Sequence, residues 1–311
     1  MTTCLLCESS GDSLLSWDQT DAKSGAPLPV SICKRCSLVA QTQLPTDDEL
    51  QIYYSHNYRV DYKQTYRPKL KHVYRAGKAA INRIEFLYSK VNLAPKAEII
   101  DIGAGGGEFL YMAKLANLNP LGIEPNAGYS SFAREQYGVD VVTSMLNDVG
   151  TYSADVITMF HVFEHLAHPK AISAQLWSAL KADGHLFIEV PNILQADASP
   201  HNIFFKAHLV YYSRYTLEAM LSPRFELIEV ASDGNLKMIF RKKPVIETMR
   251  LPSDSDLELT ANRLAAKGWW EYLTKGKGIL KPFRRCGQYL EELKIKGDPK
   301  TVLDNLFRAT I

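Results

Sequence analysis

Glu98-Ile99-Ile100-Asp101-Ile102-Gly103-Ala104-Gly105-Gly106-Gly107-Glu108-Phe109 is the stretch that decides the fold. The first five residues, three isoleucines with an acid at the start and another before the last, read as a short buried strand. They run straight into a glycine-rich turn, and apolar helical spacing follows over about 107–117. Glycines at 103, 105 and 107 let the backbone turn tightly and approach a ligand with no Cβ in the way. Outward from this turn the pattern repeats as strand, loop, helix. Further strands are expected over 121–124, 139–142, 154–160, 185–190, 225–231 and 236–241, with helices over 126–137 and 168–181. The last two strands form an antiparallel pair joined by Ser232-Asp233-Gly234-Asn235. Strands alternating with helices predict a doubly wound, mostly parallel seven-stranded α/β sheet.

Two acids sharpen the glycine signal. Asp101 stands at the end of the first strand, and Glu124 closes the next one. A carboxylate at the second position can accept hydrogen bonds from both hydroxyls of a ribose. A dinucleotide would bring its pyrophosphate to the helix N-terminus, where an acid beside the loop repels it. Asp101 before the loop and Glu108 after it suit a cationic ligand instead, and S-adenosylmethionine is the expected cofactor.

With those residues in place, 97–241 resembles a class I S-adenosylmethionine-dependent methyltransferase with a Rossmann-like sheet. The resemblance extends to Phe160-His161-Val162-Phe163-Glu164-His165-Leu166-Ala167-His168-Pro169, to 180–192, and to His208-Leu209-Val210-Tyr211-Tyr212-Ser213. It implies that Asp101, Gly103, Ala104, Gly105 and Gly107 surround the methionine moiety. It also implies that Glu124 holds the ribose with Pro125 beside it, and that Phe160 and His161 line the wall near the sulfonium. His161-x-x-Glu164-His165 also fits an inverted zinc-protease pattern, but that site needs one long helix, whereas these residues follow a strand.

Cysteine usage defines a second module. Cys4-x2-Cys7 and Cys33-x2-Cys36 have the spacing of a tetrahedral four-cysteine zinc site, with a loop or hairpin between the pairs. Four sulfurs leave no position open for water, so the expected ion is structural; Cys286 stands apart. The segment 27–39, with Tyr53 to Tyr58, is similar to the zinc-binding N-terminal domain of deoxysugar C-methyltransferases acting on nucleotide-linked sugars. That resemblance implies that the module helps wall the substrate site and that Tyr58 reaches the cofactor, with packing between modules the alternative for Tyr58. The chain is therefore expected to divide into a zinc module (1–45), a helical linker or cap (46–95), the cofactor-binding domain (96–243) and a helical C-terminal extension (244–311).

Methyl transfer from a sulfonium is an in-line displacement in which the enzyme mainly positions the acceptor. A hydroxyl acceptor benefits from a base, and histidine has a suitable pKa. His208 aligns with the histidine of the resembled family's Glu-His pair, and Glu164 and His165 join it as candidate catalytic residues. Ala207 stands where that family carries glutamate, and only about 70 residues follow the sheet in place of a second α/β domain. Both departures argue against carbanion chemistry. O-methylation of a sugar hydroxyl in a nucleotide sugar or surface glycan is the leading expectation, with C- and N-methylation open.

Composition bounds the alternatives. At 311 residues, 46% hydrophobic and 23% charged, the chain can bury a full core, which excludes a disordered or collagenous protein. No apolar run is long enough to span a bilayer and the first residues lack a signal-peptide pattern, so a cytoplasmic location is expected. Net charge is +2, yet residues 241–311 carry 15 Lys/Arg against 9 Asp/Glu. That basic tail with Trp269-Trp270 would suit an RNA acceptor by phosphate contact and stacking. Against it, the cysteine module holds Lys23, Lys34 and Arg35 against Glu8, Asp12, Asp18 and Asp21. A non-catalytic cofactor-binding scaffold is the third possibility, disfavoured by the intact loop and Glu124.

Overall fold

The structure, a computed structural model, describes residues 3–52 and 68–310; Tyr58 lies outside them. Eleven strands among the described residues form two sheets. Seven make one sheet in the order β10-β11-β8-β7-β4-β5-β6, and the other has the order β1-β2-β3-β9. The chain separates into two compact units, each assembled from three stretches.

One unit comprises 46–159, 178–187 and 285–311. Strands β4 (Glu98–Ile102), β5 (Asn119–Ile123), β6 (Asp140–Val142) and β7 (Ala154–Phe160) carry its register. β4 lies parallel to both β5 and β7, and β5 lies parallel to β6. The helices are α1 (Asp47–Ile52), α2 (Leu70–Lys90), α3 (Glu108–Leu115) and α4 (Ala127–Tyr137). α1 begins with a capping box: Thr46 Oγ1 accepts the Glu49 N–H, and Glu49 Oε2 accepts the Thr46 N–H. α2 buries Val73, Gly77, Ala80, Ile84 and Leu87, a stripe at helical spacing. A terminal helix, Pro299–Arg308, covers that stripe. A Cβ on Gly77 would lie 2.5 Å from Leu303, so the close approach requires glycine.

The second unit comprises 1–45, 160–177 and 188–284. Its small sheet is antiparallel: β1 (Leu14–Trp17) pairs with β2 (Val30–Cys33), β2 with β3 (Val39–Gln41), and β3 with β9 (Val210–Tyr211). Leu28, Val30, Val39, Ile193, Phe204, Tyr211 and Leu264 form its core cluster. Leu264 comes from α7 (Asp254–Ala265), which follows α5 (Pro169–Ala179) and α6 (Arg214–Leu221). β10 (Phe225–Ser232) and β11 (Asn235–Lys242) form the expected antiparallel pair, with a register shift between Leu227 and Glu229.

The fold class is as the sequence predicts: a Rossmann-like α/β domain with a seven-stranded, mostly parallel sheet. Two details differ. The strand expected at 185–190 runs over Leu180–Pro191 as β8, which continues through Asp183 and its left-handed φ of 60° where the sequence reads as a turn. The cysteine module carries three short strands, β1 and β2 forming the hairpin between the pairs and β3 following the second pair. Its sheet is completed by β9, two residues too short to show a periodicity. Among the described residues, no helix is long and apolar enough to cross a membrane.

Candidate functional site

At the end of β4 the chain turns through Gly103, Gly105 and Gly107, all with positive φ. The turn is pinned from β5: the N–H groups of Gly103 and Ala104 both donate to the Ile123 carbonyl, at 2.8 and 3.1 Å. Glu124 pins it a second time. Its Oε2 accepts the Gly105 N–H (2.8 Å) and its Oε1 accepts the Asn126 N–H (3.0 Å). Pro125 lies between these two anchors, and the Asn126 side chain caps α4 by accepting the Tyr129 N–H. Asp101, Gly103, Ala104, Gly105, Gly107 and Glu124 thus come together around one loop, with Asp101 and Glu124 both buried.

Asp101 accepts a hydrogen bond from Thr158 on β7 (2.7 Å). Burial raises its pKa from an ordinary 3.8 to about 7, outweighing the Thr158 bond and the Arg83 charge. A buried carboxylate so short of positive charge fits a ligand that brings an ammonium group, as S-adenosylmethionine does. Thr158 and Asn126 had no sequence signal beyond the Asn that precedes a helical pattern.

The other candidate residues belong to the second unit. His161 follows β7 with φ 58°, its N–H bonded to the Glu189 carbonyl at 2.8 Å. Its Nδ1 lies 3.5 Å from Glu164 and its Nε2 3.4 Å from Glu189. Burial works to lower its pKa, but the two carboxylates prevail and hold it at about 9. Glu164 and His165 sit in a short turn, Phe163–His165, both buried. Burial works to raise Glu164, yet the charges of His165 and His161 hold it at about 2. His208 packs edge-on against His165, with ring centroids 5.0 Å apart. Burial, followed by the His165 charge, lowers its pKa to about 3, so His208 is neutral at neutral pH.

Glu164 and His208 line a cavity of about 400 Å³. Its other polar walls come from Asn192, Asp197, Asp233 and Asn235, and from two cations that sequence reasoning missed, Lys267 and Lys281. The Lys267 ammonium donates to the Gln195 carbonyl (2.7 Å), and burial lowers its pKa to about 8. Lys281 donates to the Asp197 carbonyl and lies 4.9 Å over the Tyr272 ring.

Cys4, Cys7, Cys33 and Cys36 converge with all four sulfurs within 4.8 Å of one another. Cys4 to Cys36 and Cys7 to Cys33 are each 3.5 Å apart. Sulfurs about 2.3 Å from a central ion form a tetrahedron with edges of about 3.8 Å, so the cluster fits zinc. Both knuckles share one geometry. Glu8 N–H donates to the Cys4 carbonyl and Ser37 N–H to the Cys33 carbonyl, with both residues left-handed at φ 61° and 59°. Burial pushes the Cys33 thiol up, and the hydrogen bond with Cys4 pushes up Cys36, so four thiolates need a cation among them.

A sequence family described as a methyltransferase domain matches residues 71–240. No curated protein matches. Among solved structures, magnesium protoporphyrin IX methyltransferase from Synechocystis PCC 6803 is 11% identical, the match covering 64% of this chain and 100% of that one with a TM-score of 0.49. A putative S-adenosylmethionine-dependent methyltransferase from Listeria monocytogenes is 12% identical over 53% of this chain and 98% of that one, TM-score 0.44. One from Archaeoglobus fulgidus is 16% identical over 53% and 94%, TM-score 0.43.

Proposed function

Because the chain belongs to the methyltransferase domain family over residues 71–240, we propose that this S-adenosylmethionine-dependent methyltransferase acts on a hydroxyl of a sugar, carried by a nucleotide or a glycan. The cofactor, when bound, supplies an electrophilic methyl group on a sulfonium. Asp101 would hold the amino group of its methionine moiety. Glu124, already oriented by Gly105 and Asn126, would accept from the ribose hydroxyls, since each oxygen of a carboxylate can take a further bond. Phe160 and His161 are assigned to the sulfonium wall by resemblance.

The observation that carries the sugar reading is the polar cavity. It sets asparagines, aspartates and a neutral histidine around a space of about 400 Å³, a lining suited to a polyhydroxylated acceptor. Lys267 and Lys281 add positive charge for a phosphate or diphosphate group. In this reading His208 and Glu164 face the acceptor hydroxyl, and His165 holds their segments together. Weakly basic His208 takes the hydroxyl proton as the C–O bond forms and the oxygen turns acidic. The cysteine module carries a structural zinc in this reading.

Methyl transfer from labelled S-adenosylmethionine into nucleotide sugars and glycans, run beside total RNA, tests it. Label in the sugar pool is expected. A second reading rests on Trp270, 82% exposed beside Trp269 at 51%, which offers a stacking surface for bases. Label in RNA alone would replace the sugar reading with that one.

A further inference from the structure

Glu164 and His165 are held against the segment of His208 by two bonds that involve no acceptor. Leu209 N–H donates to the Glu164 carbonyl at 2.9 Å. His165 Nδ1 lies 2.6 Å from the Ala207 carbonyl oxygen. A carbonyl can only accept, so Nδ1 carries a proton and Nε2 is the nitrogen facing Glu164, 3.9 Å from Oε1. That gap is too long for a hydrogen bond. It suits two ligands of one ion, because donors about 2.0–2.2 Å from a metal lie roughly 3–4 Å from each other.

The Glu164 carboxylate gives the independent sign. The residue is 1% exposed, yet neither oxygen has a hydrogen-bond partner among the described residues. His161 Nδ1, 3.5 Å from Oε1, belongs to a ring shared with Glu189. The imidazole charges nearby offset its charge but leave both buried oxygens unbonded, which is costly, and a coordinated cation removes that cost. One ligand atom from each of Glu164, His165 and His208 lies within 4.8 Å of the other two.

We propose that Glu164, His165 and His208 bind a first-row divalent cation through two imidazole nitrogens and one carboxylate oxygen. Two histidines and one carboxylate are a donor set for zinc, iron, cobalt or manganese, and they leave coordination positions open. The Ala207 carbonyl is the outer partner that fixes the His165 tautomer, as such partners do for ligating histidines. Glu164 and His208 also line the polar cavity, so an acceptor entering it meets the same groups. There the cation lowers the pKa of the acceptor hydroxyl, which loses its proton to water, and His208 acts through the cation rather than as a free base. That role rests on the reading of the cavity as the acceptor site; cation binding does not.

The test uses the full chain with its cysteine-bound metal retained, dialysed against cobalt(II) and assayed by elemental analysis and visible absorption. About one further cobalt per chain is expected, with ligand-field bands and no new thiolate charge-transfer band. Glu164→Gln and His208→Ala should each weaken uptake at least ~10-fold. His208 is half-buried, so His208→Ala decides the matter should Glu164→Gln fail to fold. No extra cobalt in the wild type, or equal uptake by the variants, overturns the proposal. If the wild type takes up no cobalt but His208→Ala abolishes methyl transfer to sugars, the free-base role stands and the cation is removed. Cobalt uptake lost in both variants with methyl transfer unchanged keeps the cation and removes its acceptor role.

Discussion

The side-chain amide of Gln41 donates to the carbonyl oxygen of His208 at 2.8 Å. It also reaches the carbonyls of Lys206 (2.9 Å) and Phe205 (3.4 Å), and its backbone N–H bonds the Leu209 carbonyl at 3.0 Å. Gln41 ends β3 only five residues beyond Cys36. The backbone beneath the candidate catalytic histidine is therefore set by the last strand of the cysteine module.

If the cysteine cluster holds zinc, loss of that metal should reach His208. Structural zinc contributes on the order of 10–16 kcal/mol in zinc-finger peptides, so a module of this size is expected to unfold without it. Cys36→Ser should lose zinc by elemental analysis, lower the melting temperature and abolish transfer to the acceptor. Wild-type protein free of zinc, yet folded and active, would refute the assignment.

Cofactor affinity should depend on pH through Asp101. Without cofactor its pKa is about 7, and a bound ammonium favours the ionised form. Binding therefore releases a proton, and affinity rises roughly tenfold per unit as pH approaches about 7, then levels off. The same shift makes its contribution to stability greatest below pH 3.8, lost as pH rises through about 7. Titration calorimetry in buffers of different ionisation enthalpy measures the proton. Asp101→Asn should bind weakly with no such pH dependence; a flat profile in the wild type contradicts the placement of Asp101.

Gly107→Ala should cost more stability than Gly138→Ala. Both glycines have positive φ, 82° and 58°, so both substitutions carry backbone strain of about 1 kcal/mol or more. At Gly138 a Cβ meets nothing within 4 Å, whereas at Gly107 it would lie 2.6 Å from the Ala133 Cβ. The difference, expected at about 1–3 kcal/mol, isolates the packing of α3 against α4 and can be read from urea unfolding.

Lys267→Ala and Lys281→Ala should raise KM for a phosphate-bearing acceptor while leaving cofactor affinity unchanged. A charge-assisted hydrogen bond is worth about 1.5–3 kcal/mol, so a rise of roughly tenfold or more is expected for each. Equal KM for substituted and wild-type enzyme would show that neither ammonium meets the acceptor.

Much of this was legible in the sequence where the signal is local. Asp101, the glycine turn and Glu124 fall at the ends of neighbouring strands whose apolar runs announce them. The cysteine pairs announce themselves by spacing. The Gln41 contact with His208 spans 167 positions, and β9 is too short to carry a pattern. Lys267 and Lys281 lie in helical sequence whose charges read as a solvated face. Only the packing of Leu264 into the core of Val30, Val39 and Tyr211 shows that α7 belongs beside the cavity's own unit.

Each compact unit draws on three separated stretches, and the stretch that completes the first is 285–311. During synthesis the glycine turn and its acids emerge long before the helix at Pro299–Arg308 that covers Gly77. Until then the apolar stripe of α2 stays open to water and to other chains. A nascent chain of this protein is therefore exposed to aggregation until residues 299–308 emerge, and a ribosome stalled short of residue 299 would hold a cofactor loop on an unfinished core.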